Sequence, residues 1–200
     1  MSEMYEQVRN FTTYKIKRLL STPADSVQRA ALAKLRRGVG RVPGELPQLW
    51  GEFLQDMPEE MFSKNGIPSR AEWAVYVALT LFALHQQGND PCQKPMNKEG
   101  QSLGTAAAQL VHNEDDRLSV WRRFSSVATA SDITELSYHL RSLVNLLKAE
   151  DIALDYPALA VNLYHYQSPD QVDRVRLTWG QDFYRNHSDN EEIGKDDQHE

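Results

Sequence analysis

The chain has 200 residues, a net charge of −6 and one cysteine, Cys92. A single cysteine excludes an internal disulfide and a multi-cysteine zinc site, and it fits a reducing, cytoplasmic setting. No apolar run approaches the roughly 20 residues of a membrane span, the acidic Met-Ser-Glu-Met-Tyr-Glu start does not read as a secretory signal, and the length suits one domain or two small helical lobes.

Tyr5, Val8, Phe11, Ile16, Leu19 and Leu20 fall at helical spacing and predict a helix over 4–20. Thr22-Pro23 supplies a cap and a first-turn proline for a second helix, which Gly38 ends after Arg37. This region is strongly basic. Residues 9–41 carry Arg9, Lys15, Lys17, Arg18, Arg29, Lys34, Arg36, Arg37 and Arg41 against one acid, Asp25, a local charge of +8. A proline- and glycine-containing connection leads to a short helix over 46–54, with Leu49, Trp50, Phe53 and Leu54 expected to face a core. Ser69 and Glu72 form a capping box that opens a long buried helix through Leu84. The polar stretch 88–101, with Pro91, Pro95 and Gly100, reads as a surface loop whose length suggests a functional or mobile segment.

Beyond that loop the chain is helical again. Ser102 caps a helix to about His112, and Asp115 or Asp116 starts another through Val127. Asp132 and Glu135 open a third, to Lys148, whose Ile133, Leu136, Leu140, Leu143, Val144 and Leu147 make a core face. Asp155 starts a short helix at Tyr156-Pro157. Ser168-Pro169-Asp170-Gln171 reads as a capping box for a last helix to about Tyr184. Residues 186–200 lack aromatics, carry six acids and one lysine, and are expected to be disordered. The expected architecture is all-α: two packed helical bundles, 1–90 and 102–185, joined by a loop at 91–101 and followed by the acidic tail.

Catalytic patterns are few. Gly100-Gln101-Ser102-Leu103-Gly104 matches the G-x-S-x-G of serine hydrolases, but that chemistry needs a preceding strand and a sharp turn. A loop precedes Ser102, and helix capping explains it. No two histidines lie four residues apart, so none can pair on a helix to hold a metal. Glu114-Asp115-Asp116 suits a helix N-terminus better than a cation. No cofactor, metal or catalytic residue is expected.

Three basic groups point instead to a polyanion. Lys34, Arg36, Arg37 and Arg41 place four cations within eight residues, with no acid among them. Arg122 and Arg123 flank Trp121 and Phe124, which share a face expected to be core. Arg141 sits at the edge of an apolar stripe, within reach of a groove between lobes. Arg36, Arg37, Arg41, Arg122, Arg123 and Arg141 are expected to line one surface, with Lys15, Lys17, Arg18 and Lys98 as peripheral candidates. No recognition helix, zinc finger or aromatic sheet accompanies them, so contacts to the phosphate backbone, largely independent of sequence, are expected.

Trp121-Arg122-Arg123-Phe124, the run from His139 to Leu143, the run from Leu154 to Ala160 and the run from Thr178 to Tyr184 occur in an order that resembles the CasB family, small subunits of type I-E CRISPR Cascade complexes. Ser102-Leu103-Gly104 and Leu35-Arg36-Arg37 fit the same pattern, and the resemblance covers about residues 27–185. It implies two helical bundles and a non-catalytic role. The implied partners are guide RNA, target DNA strands, other Cascade subunits and a second copy of the chain, with no membrane involved. Arg36, Arg37, Arg122, Arg123 and Arg141 would fall on the family's basic positions. Two rival expectations remain open: a scaffold whose arginines meet acidic protein partners, and a hydrolase using Ser102.

Overall fold

A computed structural model describes residues 3–20 and 26–196, with the backbone alone at 114 and 186–196. Among the described residues regular structure is entirely helical apart from one isolated bridge between Asn97 and Leu154. The helices are α1 (Met4–Leu20), α2 (Ser26–Arg37), α3 (Trp50–Phe53), α4 (Arg70–His85), α5 (Leu103–Ala108), α6 (Glu114–Ala128), α7 (Ile133–Ala149), α8 (Tyr156–Tyr166) and α9 (Val172–Asp196). The Thr22-Pro23 cap lies outside the described residues.

Local chemistry sets most helix starts. The Ser69–Glu72 box is formed in both directions: Glu72 N–H donates to Ser69 Oγ (3.0 Å) and Ser69 N–H donates to Glu72 Oε2 (2.6 Å). Asp132 accepts from the Thr134 and Glu135 amides, at 2.8 and 2.9 Å. Asp155 accepts from the Ala158 amide. Each such cap satisfies amides that have no partner inside the helix, a contribution of about 1 kcal/mol.

Other expectations shift. Asn113, not an aspartate, caps α6. Helix α5 stops at Ala108, short of His112, and the chain turns there to bury Leu110. Residues 168–171 form a turn in which Gln171 and Val172 donate to the Ser168 carbonyl, so α9 begins at Val172 rather than Pro169. It continues past Tyr184 to Asp196, with no proline or glycine between Gly180 and Gly194. The expected tail disorder falls on residues whose side chains, and last four positions, lie outside the description. Trp50 is 49 % exposed. The single turn of α3 sends Leu49 and Phe53 inward, and Trp50, 100° round from Leu49, points away.

Helix α4 is the axis of the molecule. It is buried on nearly every side and packs against α1, α2, α7 and α8, while α9 covers α5 and α8, and α6 packs on α7. The buried apolar side chains of both bundles form one continuous cluster. The loop expected to be mobile is tied to this core. Gln86 Oε1 accepts from the Met96 amide and Gln86 Nε2 donates to the Asn89 and Lys94 carbonyls. Met96 is buried, and the Leu154 amide donates to its carbonyl.

Candidate nucleic-acid interface

The Ser102 pattern resolves into packing. Gly100 adopts φ +80°, a backbone state that favours glycine. Ser102 Oγ accepts from the Thr105 amide (3.2 Å) and lies 3.0 Å from Thr105 Oγ1. Gly104 lies where α5 meets α9: a Cβ there would stand 2.8 Å from Asp182 Cβ and 2.9 Å from Phe183 N. Three positions of one motif thus serve a turn, a cap and a close helix contact. Among the described residues no cluster of three His, Cys, Asp or Glu side chains could hold a metal ion, and no helix is long and apolar enough to cross a membrane.

The basic groups divide into two flanks around α7. On the first, α2 ends at Arg37 because Gly38 packs under Tyr76, whose hydroxyl donates to the Gly38 carbonyl (3.0 Å). The chain then turns at Gly40, φ +77°. That turn comes up against α7: a Cβ on Gly40 would lie 4.0 Å from Arg141 Nη1. Four residues before Gly40, in the last turn of α2, Arg36 lies close enough to Lys148 for their charges to interact. Partial burial, then the Arg36 charge, lowers the Lys148 pKa. Arg141 and Lys148 are seven residues apart and so share a face of α7. The end of α2, the Gly40 turn and this face of α7 therefore bring Arg36, Arg141 and Lys148 together from the two halves of the chain, with Arg37 and Arg41 adjoining in sequence.

Their partners differ. Lys34 is paired with the half-buried Glu52 (3.0 Å) and Arg41 with the exposed Glu45 (2.7 Å). An exposed pair such as Arg41–Glu45 contributes about 0–1 kcal/mol, so an incoming phosphate competes readily for Arg41. Among the described residues, Arg36, Arg37 and Arg141 have no carboxylate within ion-pair distance. Lys148 donates to Gln87 Oε1 at 3.2 Å.

Arg123 lies on the second flank, and Arg122 lines a neighbouring recess on α6 with Leu118, Ser119 and Ser126. Arg123 lines a recess with His112, Leu146, Ala149 and Glu150. Leu146 and Glu150 sit about 140° and 180° round α7 from Arg141, using 100° per residue. Arg123 also folds back on its own helix, donating to the Ser119 carbonyl and hydroxyl. The expectation of one surface is thereby corrected for Arg123: the helical register of α7 puts it round the helix from Arg141. Two peripheral candidates also change character. Lys15 is buried with its ammonium 5.4 Å from the Phe11 ring centroid, and burial lowers its pKa. Arg18 bonds Asp56 at 2.9 Å. Lys148 was not singled out in the sequence, although its spacing from Arg141 is visible there; its nearness to Arg36 is a tertiary fact.

Comparison with known proteins gives a consistent result. The family profile of CRISPR-associated protein Cse2 matches residues 31–184. The fold is similar to CasB from Thermobifida fusca, with a TM-score of 0.72 and 30 % identity over 88 % of this chain and 97 % of that one. It is also similar to M. ruber CasB, with a TM-score of 0.64 and 26 % identity over 89 % of this chain and 95 % of that one. A chain of a CRISPR RNA-guided surveillance complex shares the fold at TM-score 0.70 and 21 % identity, over 96 % of this chain and 99 % of that one. No curated protein sequence matches.

Proposed function

The chain belongs to the CRISPR-associated Cse2 family, and on that basis we propose that it is a non-catalytic, nucleic-acid-binding subunit of a CRISPR Cascade ribonucleoprotein. In this reading it stabilises the R-loop formed by guide RNA and the opened target DNA, beside other Cascade subunits and a second copy of itself. Guide pairing reads the sequence in such assemblies, and protein holds the strands through their backbones.

The observation that carries the reading is the flank joining α2 to α7. Arg36 and Arg141 come together there from separate parts of the chain, Arg37 adjoins Arg36 in sequence, and among the described residues none of the three has a carboxylate within ion-pair distance. Unpaired guanidinium groups attract phosphate and match its oxygens with two donors at once. Lys34 and Arg41 add cations, Arg41 held by an exposed pair and Lys34 by one to the half-buried Glu52. Arg122 and Arg123 on α6 extend the binding surface as a separate contact.

The test is R-loop formation by the reconstituted ribonucleoprotein carrying R36A/R37A/R141A. The expected result is normal assembly with a large loss of strand opening, read as reduced permanganate reactivity of displaced-strand thymines. Normal opening with these three residues removed would assign the chain a scaffold role, its arginines serving protein partners.

A further inference from the structure

We propose that Tyr138 is a stacking platform for an unpaired base, so that the strand held on the α2–α7 flank is single. This deepens the function proposed above and rests on it.

Tyr138 is 63 % exposed. Single exposed aromatics are ordinary on protein surfaces, so exposure alone says little. Its neighbours on α7 say more. Tyr138, Arg141, Asn145 and Lys148 follow a 3, 4, 3 spacing, which draws one stripe about 15 Å long down the helix. All four lie outside the buried face of Leu136, Leu140, Leu143, Val144 and Leu147. Tyr138 sits at the crest, opposite that face, and Arg141 and Lys148 lead from it to the Gly40 turn and Arg36.

The other exposed tyrosines are occupied. Tyr14 hydrogen-bonds Asp56 and Arg18, and the Tyr184 ring lies 5.5 Å from both Trp121 and Phe183. Tyr138 meets only its chain neighbour His139 as a ring partner, and its hydroxyl has no hydrogen bond among the described residues. An unengaged aromatic face beside backbone-binding cations is the combination that holds single strands: cations follow the phosphates and the ring takes a base. In a duplex the bases are stacked on one another and present no free face to Tyr138.

The experiment measures binding of the full-length protein, at low ionic strength, to a single-stranded DNA oligonucleotide and to the same oligonucleotide with abasic positions. The unmodified protein is expected to prefer the base-bearing strand by roughly 5- to 150-fold, the equivalent of the about 1–3 kcal/mol of one base–aromatic stack. Y138A should abolish that preference and leave affinity for the abasic strand unchanged. Y138F should retain it. A preference that survives in Y138A, or none in the unmodified protein, overturns the proposal. Loss of subunit assembly in Y138A with unchanged strand binding also overturns it and marks Tyr138 as a protein contact. Failure of the parent reading looks different: R36A/R37A/R141A then leaves binding of both oligonucleotides unchanged.

Discussion

His85 shows how much one side chain can carry in this molecule. It is fully buried at the end of α4, with Nδ1 2.9 Å from the Tyr156 hydroxyl and Nε2 buried without a hydrogen-bond partner among the described residues. Burial, helped by the nearby Lys148 charge, pushes its pKa down to about 4. The unfolded chain takes up a proton near pH 6.5, and the folded chain resists until about pH 4. Stability is therefore full above pH 6.5, falls as pH drops through this window and levels off below it, a loss of at most about 3 kcal/mol. Urea unfolding between pH 7.5 and 4 should show that slope, and His85→Gln, which cannot titrate, should flatten it. An equal slope in both proteins would place the titrating group elsewhere. Asp155 has a comparable reach. Its buried carboxylate caps α8, accepts from the Gly100 amide at 2.9 Å and lies 4.0 Å from Arg9. Removing it in Asp155→Ala leaves two amides without their acceptor and should cost about 3 kcal/mol, measured by thermal or urea unfolding.

At the scale of elements, close packing is the sharper constraint. The α5–α9 contact leaves no room for a side chain at residue 104, because the nearest atoms belong to the backbone and Cβ of α9. Gly104→Ala should destabilise by about 3 kcal/mol, with Ser102→Ala costing only the cap, about 1 kcal/mol. Equal effects would mean that the cap, and not the contact, fixes α5. Arg176 makes a similar joint at the other end of this layer, donating to the Ala128 carbonyl at 2.7 Å and lying over the Tyr166 ring. The helix starts at Ser69, Ser102, Asp132 and Asp155 were legible in the sequence because a cap is a local event. What was not legible depended on distant partners. The 88–101 loop has the composition of a mobile segment, and only the distant Gln86, Leu154 and Asp155 hold it in place. Ser168-Pro169 looked like a cap and serves as a turn, since its carbonyl rather than its hydroxyl takes the first amides of α9.

For the whole molecule, the question is how an acidic protein presents a basic face. Sequence clustering located the cations on α2, α6 and α7, but their sorting required the register of α7. Arg36, Arg141 and Lys148 meet on one flank, while Arg123 turns away toward Glu150. Each phosphate neutralised on a single strand contributes about 0.7 to the slope of log affinity against log salt. The most direct test measures that slope for single-stranded DNA with R36A/R37A/R141A. If the α2–α7 flank cradles a strand, the slope falls by about 2 in magnitude while the unfolding midpoint stays unchanged; an unaltered slope would contradict a binding role for this flank.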